Sequence, residues 1–332
     1  MLKRLYVHNY RCLENFEVQF KDLPSSMLVG LNGTGKTTVG LVIDLFAKVC
    51  RGQNQVGELV SSKDFFLDRL GSPMRFEIEV EILGQNYDYV LAFELPDGFR
   101  ELRVYEEILR VDGSVVFSRR EAKVTMPKSG QHEANFLIDW HQVALPIIQE
   151  YSQKDPLFVF KSWLKKIVVL SPVPMLIDGV ANEASLQPKR DGSNFANWLS
   201  GVLDRYPAAY TDILDFLKNV MPDILDFQFD HIGEDSKVIK VRFKAGSEIW
   251  TARFSRLSDG EKTFFLIGLR RGFDGAGQII VTSHNQEAIK AFSIENIFQL
   301  KRNSHLEPSV CRLLADVDID GNLIEALIDG DL

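Results

Sequence analysis

The sequence predicts an α/β fold in which a mixed, largely parallel core sheet carries an antiparallel β-meander lobe and a helical insertion. Three observations predict it. An apolar strand, a glycine-rich loop and an amphipathic helix follow one another in "SSMLVGLNGTGKTTVGLVIDLFAKVC", the order of a phosphate-binding strand–loop–helix unit. From Arg75 to about Phe117 the apolar residues instead alternate with period two, as in strands with one buried face. Late in the chain "QIIVTSHN" gives a second apolar strand ending in polar residues, and parallel α/β sheets place their ligands at such C-terminal ends.

The remaining elements follow in order. "LKRLYVHNYRCLENFEVQF" reads as two short strands joined by a turn. The helix after the glycine loop spaces Val39, Val42, Ile43, Leu45 and Phe46 on one side. In the meander, "LGQN", "PDG" and "VDG" mark the turns. Residues from about Ala134 to Pro222 are mainly helical by spacing, broken by "SPVP" and by "RDGSN", where Asp191 or Ser193 is placed to cap a helix. Strands return in "ILDFQFDHIG", "KVIKVRFKAG" and "EIWTARFSRL". The expected organisation is one unit over 1–332, with a phosphate-loop lobe (1–74), the meander (75–130), a helical region (131–225) and a final lobe (226–332).

Composition bounds the function. The chain has 332 residues, 45% hydrophobic and 25% charged, ordinary for a soluble globular protein. Cys12, Cys50 and Cys311 are scattered, which argues against a disulfide framework or zinc site. The N-terminus lacks the apolar core of a signal peptide, and no stretch reaches the roughly 20 apolar residues that span a bilayer. A cytoplasmic protein is expected. A net charge of −8 makes the whole molecule no magnet for nucleic acid. The basic runs Phe160–Lys166 and Ser236–Lys244 read best as solvated faces, and nucleic-acid binding stays open.

"GLNGTGKT", Gly30–Thr37, fits G-x-x-x-x-G-K-[ST] without deviation. Glycines let backbone N–H groups curl around a β-phosphate, and the helix N-terminus adds partial positive charge. Lys36 is placed to reach the β/γ-phosphates and the Thr37 hydroxyl to coordinate Mg²⁺. Further along, "RLSDGEKTFFLIGL" sets Ser258 and Gly260 at the start of an apolar helix, where a hydroxyl and an N–H suit a γ-phosphate. "QIIVTSHN" then delivers His284 at a strand end. Each of these last two is weak alone. In this order after a phosphate loop they are specific.

On these residues the chain resembles the ABC-type P-loop ATPase heads, within them the RecF/SMC/OLD-like branch. The resemblance rests on "NYRCLENF", "LVGLNGTGKTT", "LSDGEK" and "IVTSHN" and covers most of the chain. The meander and "RDGSNFANWL" look like the compact AAA-family ATPases of bacterial DNA-maintenance and anti-phage defence systems. The resemblance implies ATP and Mg²⁺ as cofactors and two heads meeting head-to-tail around two ATP molecules. Gly30, Asn32, Gly33, Thr34, Gly35, Lys36, Thr37 and Thr38 would then hold phosphate, with Thr37 on the metal. Ser258 and Gly260 would contact the partner's ATP, His284 would sense the γ-phosphate as the catalytic residue of its own chain, and Arg11 lies where related heads place a nucleotide-contacting basic residue. The implied partners are a second copy, a separately encoded nuclease or effector, and nucleic acid, with no membrane.

Departures from the family inform as well. The chain lacks the long coiled coils of SMC and Rad50-type proteins, and with 48 positions after His284 (332 − 284) it has no room for the TOPRIM nuclease of the OLD group. Asp316, Asp318, Asp320 and Gly321 hint at a calcium loop, but Leu327 stands where its glutamate belongs, so a hairpin turn is expected there. Gln53 and Gln55 lie in a solvated loop and are not assigned to the family's glutamine loop.

The main departure is a missing strand. In the family the signature helix leads to a Walker B strand ending in Asp-Glu, which holds the metal shell and positions the attacking water. Here Gly260 and His284 have 23 residues between them (284 − 260 − 1), and beyond Glu261 the interval holds one acid, Asp274, in a turn. Glu94 belongs to the meander, and "LLADVDIDG" follows the histidine strand. Three accounts stand: an internal strand and helix have been lost from this sequence, the chain binds ATP without turning it over, or a distant acid substitutes. The first is favoured because "LIGL" and "RRGF" each match half of a helix, and because removing a central strand should leave unpaired backbone on its neighbours. The expected function is an ATP-binding, ATP-hydrolysing head that dimerises around nucleotide and controls a nuclease or nucleic-acid complex in DNA repair or antiviral defence. The alternatives are an ATP-dependent scaffold without hydrolysis and a transporter subunit. The last is disfavoured because Thr37 and Ser258 lie 221 positions apart (258 − 37) with the meander between.

Overall fold

The computed structural model describes all residues except 21, 22, 24, 128–132, 234, 270–277, 283–288, 290, 291 and 318–332. In chain order the described elements begin with β1 (Leu2–His8), β2 (Phe16–Gln19), β3 (Ser25–Val29), α1 (Lys36–Cys50) and α2 (Val56–Leu59). The meander follows as β4 (Met74–Ile82), β5 (Gln85–Glu94), β6 (Arg103–Val111), β7 (Ser114–Arg120), β8 (Lys123–Met126) and β9 (Ala134–Leu137). Then come α3 (Pro156–Lys165), β10 (Val168–Leu170), β11 (Val180–Ala181), α4 (Phe195–Arg205) and α5 (Ala209–Val220). The last described elements are β12 (Ile224–His231), β13 (Lys237–Ala245), β14 (Glu248–Arg253), α6 (Asp259–Gly268), β15 (Ile279–Thr282), β16 (Ile297–Lys301) and β17 (Val310–Leu313).

The period-two pattern becomes an antiparallel sheet ordered β2-β1-β4-β5-β6-β7-β8-β9. Its tight turns follow from their residues. Leu83-Gly84 and Asp112-Gly113 all have positive φ, as a two-residue type I′ hairpin requires, and this turn matches the right-handed twist of the strands it joins. β4 buries every second residue, so one face of the sheet covers α1 and α3. Within that core Glu107 is wholly buried. It accepts hydrogen bonds from the Tyr89 hydroxyl (2.8 Å) and from the amides of Ala144 and Leu145 (2.7 Å each), with Arg119 3.8 Å away. This cluster ties the meander to the segment that follows it.

The core sheet is ordered β10-β15-β3-β16-β17, parallel except for β17. Its inner strands β3 and β16 are largely buried on both faces, as in a covered parallel sheet, while the edge strand β17 is partly exposed. In β3, Leu28 joins the core under the meander, while Met27 and Val29 join a second core built by α4, α5, α6 and the β12–β13 region. That second core also packs a small antiparallel sheet. In it β13 pairs with β12 on one edge and with β11 and β14 on the other.

Several expectations are corrected. The stretch read as mainly helical contains three helices, α3 to α5, and also supplies β10 to the core sheet. Neither Asp191 nor Ser193 caps α4: the cap position is Asn194, without a side-chain hydrogen bond, and the Asp191 carboxylate accepts from the Ser193 amide in a local turn. Lys161, in a run read as solvated, is buried, pairing with Glu150 (2.8 Å) and donating to the Ile148 carbonyl. The strongest correction concerns the missing strand. β10 pairs directly and in parallel with β15, Val168 opposite Ile279 and Leu170 opposite Val281, and β3 takes the other edge of β15. Both edges of β15 are hydrogen-bonded, so no unpaired backbone results. Asp274 and residues 318–332, with the expected hairpin turn, lie outside the described residues. Among the described residues no helix is long and apolar enough to cross a membrane.

Candidate functional site

The loop between β3 and α1 is shaped by positions where no side chain fits. A Cβ on Gly30 (φ 145°) would stand 2.2 Å from the Leu300 carbonyl oxygen, and one on Gly35 (φ 96°) would stand 2.8 Å from Cys12 Sγ. The Thr34 hydroxyl closes the turn on the Leu31 carbonyl (2.8 Å). Gly35 is the N-cap of α1, so the first-turn N–H groups receive no side-chain cap, and no acidic residue lies in that turn. These uncapped donors, with the positive end of the helix behind them, suit an anion.

Lys36 opens α1 but turns back over the loop, donating to the carbonyls of Gly30 (2.7 Å) and Leu31 (2.8 Å). It is 5% exposed, and burial pushes its pKa down to about 8. The ammonium is thus held over the loop by neutral oxygens, without a carboxylate to keep its proton firmly in place.

Around the loop lies a cavity of about 370 Å³, lined by Asn32, Gly33, Gly35, Lys36, Thr37 and Thr38 together with Arg11, Cys12 and Arg302. Its volume falls at the small end of the range for ligand sites. Arg11 enters from the turn after β1, with positive φ, its Nε 2.8 Å from Asp64 and its guanidinium 5.4 Å from the Tyr10 ring centroid. Arg302 enters from the end of β16 and donates to the carbonyls of His305 (2.6 Å) and Glu307 (2.8 Å). The same β16–β17 loop presses Ser309 against Gly35, and the Ser309 amide donates to the Cys12 carbonyl (2.9 Å). On the far side of α1's first turn, Arg190 Nη2 donates to the Thr37 carbonyl (3.0 Å) and Arg190 Nε to the Ser171 hydroxyl (3.3 Å). Ser171 meets the Thr282 hydroxyl at 2.7 Å, so the ends of β10 and β15 converge there.

Ser258 and Gly260 stand apart. Ser258 is the N-cap of α6 in a capping box with Glu261: its hydroxyl accepts from the Glu261 amide (3.3 Å), and the Glu261 carboxylate accepts from the Ser258 amide (2.6 Å). Ser258 is exposed, and among the described residues none of α6 lines the cavity. His284 lies outside the described residues. Gln53 and Gln55 are exposed, and Glu94 sits in the meander paired with Arg103. Reading along the sequence missed Arg302, Arg190, Asp64 and Ser309. The signal nearest to hand was "KRDGSN", where the turn was noticed and its arginine was not.

β3, its glycine loop and α1 form the strand–loop–helix unit of a phosphate-loop fold. Residues 1–123, which include Arg11 and the whole loop, match the AAA ATPase domain family. Among solved structures the chain is similar to a crystal structure of the Smc head bound to the C-winged helix domain of ScpA, at 11% identity and a TM-score of 0.45. That likeness covers 94% of this chain and 98% of that one. It is similar as well to an Smc head domain with an extended coiled coil bound to the C-terminal domain of ScpA, derived from Pyrococcus furiosus. Here identity is 10% and the TM-score 0.40, over 95% of this chain and 96% of that one. No curated protein matches the chain.

Proposed function

We propose that this chain is an ATP-binding head that closes on a second copy of itself around nucleotide, hydrolyses it, and uses that cycle to control a partner nuclease or nucleic-acid complex in DNA repair or antiviral defence. The observation that carries ATP binding is the uncapped N-terminus of α1, faced by Lys36 and Arg11 across one cavity. The residues present fit a triphosphate: Gly30 and Gly35 let the loop pack closely on Leu300 and Cys12, Gly33 faces open space, the first-turn amides donate, and Lys36 has only neutral carbonyls to give up. For Mg²⁺ the fit is thinner. Thr37 offers its exposed hydroxyl beside the phosphates, and among the described residues no cluster of three or more His, Cys, Asp or Glu stands by. When bound, the ion would screen phosphate charge. In the assembled pair Ser258 and Gly260 of one copy would face the nucleotide of the other, and His284 would sense the γ-phosphate; the exposed position of the α6 cap supports this.

A second reading, binding without hydrolysis, draws on the direct β10–β15 pairing: a strand that would present Asp-Glu between them has no place in this sheet. Measuring ATP binding and phosphate release on the same preparation decides. Tight binding with turnover supports the enzyme, tight binding without phosphate release supports the scaffold, and no binding overturns both.

A further inference from the structure

Arg190 is held unusually for a charged side chain. Its guanidinium is half-buried between α1 and the ends of β10 and β15. A Cβ on Gly40 would stand 2.7 Å from its Nη2, so a side chain there would push the guanidinium aside. Its two hydrogen-bond acceptors, the Thr37 carbonyl and the Ser171 hydroxyl, are neutral. Among the described residues no carboxylate comes within ion-pair distance. The neighbouring Asp191 accepts from the Ser193 amide instead, and Asp44 acts on Arg190 only from a distance. Burial pushes the guanidinium pKa down, Asp44 pulls it up, and the like charge of Arg11 pushes it down again. A neutral donor would tether α1 equally well. A partly desolvated cation without a counter-ion is costly, and this one sits on the first turn of the phosphate-loop helix, against Thr37.

We infer that Arg190 is a ligand for the polyphosphate chain of the bound nucleotide, supplying positive charge on the Thr37 side of the loop, opposite Arg11. This rests on the reading of the loop as an ATP site. Lys36 opens the helix and Arg11 approaches from the β1 turn, both lining the cavity, while Arg190 stands just outside that lining, against Thr37, where its remaining N–H donors would meet a phosphate chain that extends past Thr37. Arginine suits the task because its planar fork can hold the Thr37 carbonyl and Ser171 while further N–H donors remain for phosphate oxygens. The ligand class is a nucleoside triphosphate or any linear polyphosphate, recognised by charge rather than by base.

The test compares wild type, Arg190→Met and Arg190→Lys for binding of ATP, AMP and inorganic tripolyphosphate. EDTA is present throughout, so that protein cations alone face the phosphates. Arg190→Met is expected to weaken ATP and tripolyphosphate by about tenfold or more, the size of one charge-assisted hydrogen bond, and to leave AMP nearly unchanged. Arg190→Lys should recover only part of the loss, because an ammonium keeps the charge and lacks the planar fork. Equal ATP affinity in wild type and Arg190→Met overturns the inference. So does a uniform loss across all three ligands, which marks a structural tether. If wild type binds neither ATP nor tripolyphosphate, the ATP-site reading itself fails. Should Arg190→Met not fold, phenylglyoxal modification of the wild type decides: tripolyphosphate should protect Arg190, read by peptide mass, and unchanged modification there overturns the proposal.

Discussion

Lys36 makes nucleotide affinity a function of pH. Its pKa in the free protein is about 8, and a bound polyphosphate replaces the neutral carbonyls of Gly30 and Leu31 with negative oxygens, which moves the pKa above its ordinary value of 10.5. Binding therefore takes up a proton wherever free Lys36 has lost one. With a pKa of about 8, the ammonium is about three quarters protonated near pH 7.5 and about 3% protonated near pH 9.5. The affinity for ATP should fall roughly 25-fold between those values, or about 2 kcal/mol. Phosphate groups are fully ionised across this range and add no slope of their own. Isothermal titration at the two pH values, each in two buffers of different ionisation enthalpy, reads both the affinity and the proton uptake. Lys36→Met should bind more weakly at about pH 7.5 and lose the slope. A wild-type affinity that changes less than about threefold, or an equal slope in Lys36→Met, would refute the reasoning. The folded protein alone shows the opposite sign. The depressed pKa means folding disfavours the ammonium, so stability rises as pH climbs from about 8 toward 10.5.

Other predictions follow from the same contacts. Gly30→Ala puts a methyl group into the Leu300 carbonyl and should lower the thermal midpoint by an amount corresponding to about 1–3 kcal/mol, with loss of ATP binding; an unchanged midpoint would show that β16 yields easily. Ser258→Ala removes the α6 cap and should cost about 1 kcal/mol. Ser258→Asp keeps a capping oxygen, so its midpoint should match wild type, while ATP-dependent self-association, read by light scattering, should be lost through the added negative charge. Glu107→Ala leaves the Tyr89 hydroxyl and the Ala144 and Leu145 amides without an acceptor and removes the counter-charge of Arg119, which keeps its backbone carbonyls of Asp139, Gln142 and Glu121. It should destabilise by about 3–5 kcal/mol in denaturant unfolding, and a cost under about 1 kcal/mol would mean that water replaces the carboxylate.

What the sequence made legible is what is local. The phosphate loop is eight contiguous residues whose glycines and lysine are dictated by backbone shape and charge. The hairpins at Leu83-Gly84 and Asp112-Gly113 announce themselves because two successive positive φ values demand glycine in one of the pair. The α6 capping box is likewise a four-residue pattern. What stayed hidden depends on distant pairs. β10 is three residues, "VVL", too short to show a period. Its place beside β15 is fixed by contacts such as Ser171 with Thr282, 111 positions apart. A sheet with a hole would leave unpaired backbone, and this one has no hole because β10 takes the edge of β15. Arg190 and Arg302 are ordinary surface arginines by pattern, and only the folded chain brings them to the loop. Lys161 looked solvated because its neighbours Lys165 and Lys166 are, yet one turn of helix points it at Ile148 and Glu150.

The two faces of β3 carry a mechanical consequence. Its five residues hold the meander core on one side through Leu28 and the α4–α6 core on the other through Met27 and Val29, and the chain passes from Val29 straight into Gly30. The strand works like the keel between two hulls. An anion seated on the loop is therefore expected to be felt in both hulls, the lobe carrying Arg11 and the lobe carrying the exposed α6 cap. Amide exchange in β3 should slow with nucleotide together with exchange in both flanking cores, and slowing confined to one core would show that β3 does not join them.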